Sequence, residues 1–142
     1  DTINPDADKF PSEEKAERGI VAFLFHSPDK LPVILRNLTP DDFPTAFNRR
    51  VFETLILRLN KRQSVTTASL GGEFSPEETG RIEKIKIENA ALPFTDERLN
   101  DYIKVLTRFK KQKDKKSPAD MSNTEAMEYA EKLKREKFAK TY

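Results

Sequence analysis

Side chains that could perform catalysis or bind a metal are few in this sequence. It contains one histidine, His26, no cysteine, and no GxGxxG, GxxxxGK[ST] or HExxH motif. His26 stands where the first predicted helix ends, and a cation there interacts favourably with the helix dipole. A capping or surface role is therefore favoured over catalysis, and we predict no catalytic residue, no metal site and no cofactor.

Paired acids are the next candidates. Glu13-Glu14, Asp41-Asp42 and Glu77-Glu78 each fall in the first turn of a predicted helix. Their predicted role is to offset the helix dipole rather than to bind metal or transfer protons. Gly71-Gly72 lacks the Lys-Ser or Lys-Thr that follows a phosphate loop, so it predicts a turn.

The sequence has one strongly charged cluster, which places six basic residues and one acid within residues 108–116. One interpretation is a solvated basic helix end, favoured by the dipole. The other is a contact with an acidic protein segment or a nucleic-acid backbone. Nucleic acid is the weaker of these, because 110–116 contains no aromatic residue. The basic residues are Arg108, Lys110, Lys111, Lys113, Lys115 and Lys116.

The composition suits one small helical domain. Of 142 residues, 36% are hydrophobic and 35% charged, so the apolar side chains must be concentrated on narrow helix faces. The net charge of +2 gives no global attraction to nucleic acid or membrane. The longest apolar run, 20–25, is six residues, far short of a membrane span. Because cysteine is absent, we expect a cytoplasmic protein.

Hydrophobic periodicity predicts an all-α fold in three parts. Residues 1–11 are expected to be a mobile linker, 12–109 a bundle of about six helices, and 110–142 a protruding hairpin. The first arm of the hairpin continues the preceding helix. Helix starts are predicted at Ser12, Asp29, Thr39, Ser75 and Thr95. The strongest amphipathic pattern predicts a central helix through Phe47, Val51, Phe52, Leu55, Ile56 and Leu59.

Two sequence blocks resemble a known family. Residues 16–24 (AERGIVAFL), followed by Pro28, resemble the first helix shared by the helicase-binding C-terminal domain of bacterial (DnaG-type) primases and the N-terminal domain of replicative helicases. Residues 38–43 (LTPDDF), leading to 48–53 (NRRVFE), resemble a second segment of that family. The resemblance is good over 16–59 and looser to 109. The order and spacing of the motifs carry this resemblance, and the chain is identified as resembling the primase domain.

The resemblance implies a non-catalytic docking domain. In the primase family, such a domain binds the N-terminal domains of the hexameric replicative helicase and couples primer synthesis to the fork. Primer synthesis, by a DNA-directed RNA polymerase, belongs to other parts of such a protein, so no catalytic residue is carried over. We expect a monomer. The family also offers the acidic tail of single-strand-binding protein as a partner, but Glu13, Glu14 and Glu17 make the first helix acidic here.

Two alternatives remain open. The chain could be the N-terminal domain of the helicase itself, since the two folds are alike; against it, a tether precedes the fold and no P-loop ATPase follows. It could also be a nucleic-acid-binding module that uses residues 110–116, which salt dependence would distinguish.

The last predicted helix, about 124–140, is the expected contact with the helicase. Its apolar residues occupy about half of the helical wheel, more than one neighbouring helix would cover. Methionine and tyrosine are also favoured at protein interfaces. The alternative is that this helix folds back on the bundle. The predicted contact residues are Met127, Tyr129, Ala130, Leu133, Lys134, Lys137 and Phe138.

Overall fold

The first helix, α1, lies at the centre of the fold. The structure, a computed structural model, describes residues 1–114. In it α1 runs over Pro11–His26, and every residue from Gly19 to Leu24 is buried. Six consecutive buried residues cover all sides of a helix, which therefore needs neighbours on all sides. The two helices that contact it most are α3 (Ala46–Asn60) and α4 (Pro76–Asn89). The central helix is α1, not α3 as the amphipathic pattern had suggested.

The helix α3 buries one face, as its amphipathic pattern predicts. Phe47, Val51 and Phe52 belong to that face. A single 3-10 turn, Pro40–Asp42, precedes α3 and carries the predicted cap, in which the Asp42 carboxylate accepts the Thr39 N–H at 2.8 Å. The turn brings Phe43 inward, where its ring stacks on Phe52 with centroids 4.5 Å apart.

The remaining helices begin near the predicted caps. The short helix α2 is Leu31–Leu35 and follows a 3-10 turn at Pro28–Lys30. At the start of α4 the predicted capping box forms, because Ser75 Oγ accepts the Glu78 N–H at 3.1 Å. The last described helix, α5, runs over Asp96–Asp114.

Within residues 1–114 the fold is all-α. These residues form five α-helices and four 3-10 turns, with no strand. The prediction of an all-α fold is confirmed, although the described part has five helices rather than about six. The predicted helix at 124–140 lies outside the described residues. Asp1–Phe109 form one compact unit, and the division of the chain into bundle and hairpin stays a prediction.

Of residues 1–11, expected to be a mobile linker, the first ten are packed on the bundle and Pro11 begins α1. The Asp1 carboxylate accepts the N–H groups of Ile3 and Asn4 at 3.0 Å and forms an ion pair with Arg81 at 2.7 Å. Asn4 is 1% exposed and Ile3 packs against the core. These contacts hold the N-terminal segment against the bundle, whereas its proline content had predicted an extended linker.

Gly19 leaves room for the Tyr102 side chain of α5. A Cβ added at Gly19 would lie 2.3 Å from the Tyr102 ring. That ring is held in place, because its hydroxyl accepts a hydrogen bond from Arg98 Nε at 2.7 Å. A larger residue at position 19 must therefore displace the Tyr102 ring.

Gly19→Ala should lower the free energy of unfolding by about 1–3 kcal/mol, because the extra methyl group overpacks a filled contact. The matched control is Gly80→Ala in the exposed face of α4, where a new Cβ meets nothing within 4 Å. That change should stabilise the protein by about 0.5–1 kcal/mol through helix propensity. Chemical denaturation measures both; equal effects at the two positions would contradict the close contact.

The C-terminus of α3 ends in a left-handed residue that is not glycine. Arg62 has φ 55°, and its N–H donates to the Leu59 carbonyl at 3.1 Å. The Gln63 N–H donates to the Arg58 carbonyl at 2.8 Å. These two bonds are the Schellman pattern, whose left-handed position favours glycine.

Arg62→Gly should raise the free energy of unfolding, by an amount up to about 1 kcal/mol, because glycine adopts the left-handed conformation without a Cβ clash. Lys61→Gly is the control, since Lys61 has φ −90° and gains nothing from glycine. If the two glycine variants were equally destabilised in a thermal melt, the strain at Arg62 would be negligible.

Candidate functional site

The residues that look reactive by type serve the fold. His26 is the last residue of α1 and is exposed, as predicted. Its ring stacks on Phe94 with centroids 4.1 Å apart, and its Nδ1 lies 2.8 Å from Ser27 Oγ. Gly71-Gly72 lie in a turn. Within residues 1–114 no group of three or more His, Cys, Asp or Glu could hold a metal ion.

The acid pairs occupy first turns, as predicted, and two of their members make further contacts. Glu78 accepts two hydrogen bonds from the Arg50 guanidinium, at 2.8 and 3.0 Å, and Arg50 holds the pKa of Glu78 below its usual value. Glu14 accepts a bond from Arg18 Nε at 2.5 Å. Glu14 also accepts the Asn48 amide of α3 at 3.4 Å, so both carboxylates connect elements of the bundle.

The predicted contact residues fall mostly outside the described part of the chain. Arg108, Lys110, Lys111 and Lys113 lie on α5, and Arg108, Lys111 and Lys113 are exposed. Lys115 and Lys116 lie outside the described residues. So do Met127, Tyr129, Ala130, Leu133, Lys134, Lys137 and Phe138. A role for either set stays a prediction.

A buried carboxyl, Glu17, is the most unusual titratable group among residues 1–114. Its side chain was expected to make the surface of α1 acidic, but it is 0% exposed. The carboxylate accepts the Thr45 N–H at 3.1 Å, the Thr45 hydroxyl at 2.6 Å and the Asn48 amide at 3.1 Å. Thr45 is the residue that precedes the first turn of α3, so Glu17, which accepts its N–H, joins α1 to the positive end of that helix dipole.

Burial raises the pKa of Glu17 to about 7, because an ionised carboxylate loses its hydration there. The hydrogen bonds from Thr45 and Asn48 act in the opposite direction, and the nearby Glu14 charge adds to the increase. A carboxyl in this state can hold or release a proton near neutral pH.

A groove opens between the ends of α1 and α4. It has a volume of about 290 Å³. Its walls are mainly apolar, with one imidazole and one ammonium group, and Lys86 Nζ sits 4.9 Å from the centre of the Phe25 ring. The lining residues are Ala22, Phe25, His26, Lys86, Ile87, Ala90 and Phe94.

Arg98 fixes the loop that forms one wall of this groove. Its guanidinium donates to the carbonyl oxygens of Asn89, Leu92 and Pro93 at 2.8, 2.9 and 3.1 Å. It also lies 5.0 Å from the centroid of Phe94. One cation therefore closes the end of α4 and holds the Phe94 ring over His26.

The groove could receive an apolar side chain. Ile87 lines it and is 66% exposed, and Leu92 in the adjoining loop is 62% exposed. Such exposure contributes nothing to folding and is typical of a contact surface when several apolar groups adjoin. Two of its lining residues, His26 and Lys86, carry titratable side chains, and the rest of the lining is apolar.

Sequence reasoning missed Glu17, Asn4 and Arg98. Each is polar and its sequence neighbours do not distinguish it from surface residues. Asn48 and Glu17 do fall within the two blocks that carry the family resemblance. Their place in those blocks was the one sequence feature that could have indicated a structural role.

Comparison with known proteins identifies the family. Residues 9–108 match the model of the DnaB-like helicase N-terminal domain. The match spans well over half of the chain and nearly all of the compact unit. The chain therefore belongs to the family of DnaB-like helicase N-terminal domains. No curated protein and no solved structure matches it.

This match overturns the assignment to the primase C-terminal domain. The helicase family, the alternative kept above, is the correct one, and the predicted docking on helicase N-terminal domains falls with the primase assignment. The single-strand-binding protein partner, which came from the same resemblance, is withdrawn as well. The physical reason is that the matching blocks are core and capping residues, which the two similar folds share.

No helix among residues 1–114 is long and apolar enough to cross a membrane.

Arg98→Lys should lower the free energy of unfolding by about 1–3 kcal/mol, because an ammonium group cannot replace the planar fork that satisfies several carbonyl groups at once. Arg108→Lys, an exposed change on the same helix, should alter it by less than about 0.5 kcal/mol. Urea denaturation compares them. A similar small effect for both would show that the loop does not depend on Arg98.

Proposed function

We propose that this chain is the non-catalytic N-terminal domain of a DnaB-like replicative helicase and serves DNA replication through protein contacts. The observation that carries the proposal is the match of residues 9–108 to that family. Three features of the described residues support it. His26 and the acid pairs have structural contacts, the groove at the ends of α1 and α4 is mainly apolar, and Glu17, the carboxyl whose pKa is raised, is enclosed in the core.

The proposed role differs from that of the helicase motor, which hydrolyses nucleotide. Nucleotide hydrolysis by a helicase motor requires a phosphate-binding loop, and the GxxxxGK[ST] motif of that loop does not occur in the sequence. A domain of this kind would contribute to a helicase by holding subunits or other replication proteins in position. Its surface, rather than its buried residues, would then carry the function.

A domain exchange tests the proposal. Residues 1–142 would replace the N-terminal domain of a DnaB-like helicase, and unwinding of a forked duplex would be compared with the same helicase lacking that domain. We expect the chimera to unwind faster than the truncated protein, while the isolated domain hydrolyses no ATP. The matched pair Phe52→Ala, at a buried site, and Leu57→Ala, at an exposed site of the same helix, checks dependence on the fold.

Two outcomes would oppose the proposal. One is a chimera no more active than the truncated helicase although the domain is folded by circular dichroism. The other is ATP hydrolysis or primer synthesis by the isolated domain, which would show chemistry that a helicase N-terminal domain does not have.

A further inference from the structure

The N-terminal segment, residues 1–10, covers the network that holds Glu17. Asn4 Nδ2 donates to Thr45 Oγ1 at 3.2 Å, and the Asp6 carboxylate accepts the Ala46 N–H at 3.2 Å. Thr45 in turn gives both its N–H and its hydroxyl to Glu17. The segment and the buried carboxyl thus share the first residues of α3.

No cation hydrogen-bonds Glu17 in the described part of the chain. Arg18 on α1 is paired with Glu14 and Glu88, and the Arg49 guanidinium donates to the carbonyl oxygens of Phe43 and Pro44. Of the other basic residues on these elements, Arg50 and Arg58 pair with Glu78 and Glu73, and Lys9 and Lys15 are exposed. The charged groups to be considered are Glu14, Arg18, Asp6, Asp42 and Arg49.

A buried carboxylate without a cation is costly, and two events relieve the cost. The carboxylate can take up a proton from solvent, or water can reach it. Water is excluded while Asn4 and Thr45 are buried, at 1% and 0% exposure. We propose that docking of the N-terminal segment on α3 is coupled to proton uptake by Glu17, so that the docked state favours the neutral acid and the undocked state the carboxylate.

The hydrogen-bond network can accommodate the added proton. With Glu17 ionised, the Thr45 hydroxyl donates to Glu17 and accepts from Asn4. Asn4 Oδ1 is then the one buried side-chain oxygen or nitrogen without a partner in residues 1–114. With Glu17 neutral, its O–H can donate to Thr45 Oγ1. The Thr45 hydroxyl then donates to Asn4 Oδ1 once the Asn4 amide turns over. One proton enters and the direction of the two bonds reverses.

The direction of the pH dependence follows from the raised pKa of Glu17, about 7 in the folded protein. An ordinary glutamate has a pKa of about 4.3. Docking of the segment is therefore strongest at a pH below the ordinary glutamate pKa, where Glu17 is neutral in both the docked and the undocked state. It weakens as the pH rises through about 7, the pKa of Glu17 in the folded protein. Segment release at alkaline pH exposes the carboxylate to water.

Carbon-13 and nitrogen-15 NMR of the whole chain tests the coupling. We expect the Glu17 carboxyl carbon to titrate well above the ordinary range, and the Asn4 side-chain amide signals to move with the same midpoint. Coupling is reciprocal, so Asn4→Ala, which loosens the segment, should lower the Glu17 midpoint by about one pH unit or more. Thr2→Ala, an exposed change in the same segment, should leave the midpoint unchanged.

Glu17→Gln provides a second measurement, because it replaces the titrating group with a neutral one of similar shape. The Asn4 signals should then lose their pH dependence around neutrality. An ordinary Glu17 midpoint in the native chain would overturn the proposal, and so would an Asn4→Ala variant with the native midpoint. If Glu17→Gln does not fold, the comparison of Asn4→Ala with Thr2→Ala decides alone.

Discussion

The burial of α1 on all sides is the constraint from which the rest of the structure follows. Because Gly19 to Leu24 are all enclosed, each surrounding helix must meet α1 through a different face. Apolar side chains supply most of these contacts. At two places α1 instead adapts to a neighbour: Gly19 leaves room for the Tyr102 ring, and Glu17 accepts the first donors of α3.

The Glu17 contact determines which part of α3 faces α1. Apolar surfaces can slide past one another at small cost, but a buried carboxylate is satisfied only where its donors lie. Thr45 and Asn48 provide those donors. The two sequence blocks that resemble the family therefore meet at one hydrogen-bonded junction, and the order and spacing of the blocks reflect that junction. The next two residues are also structural, since Arg49 holds the Phe43 turn and Arg50 joins α3 to the start of α4.

Local patterns could be predicted from the sequence because their causes are local. The caps at Thr39 and Ser75 act within four residues, and the inward position of Phe43 follows from the first of them. Asn4 and Arg98 could not be predicted in the same way. The partner of Asn4 is 41 residues away in sequence, and Arg98 acts by reaching back to carbonyl groups that have no sequence signature. For the candidate groove, the exposed position of His26 was predictable, whereas its stacking on Phe94 depends on the loop that Arg98 holds.

The difference between buried and exposed residues explains why the motif resemblance pointed to the primase family instead of the helicase family. Buried side chains are expensive to change, because a cavity or an unsatisfied polar group costs several kcal/mol, so core and capping residues report the fold. Partner choice depends on exposed groups, where most substitutions cost less than about 0.5 kcal/mol. Ile87 and Leu92 are of that kind: they adjoin the groove, and the core would fold without them. A helicase domain and a primase domain can therefore agree at the α1–α3 junction and differ in what they bind, and only a match over the whole bundle distinguishes them.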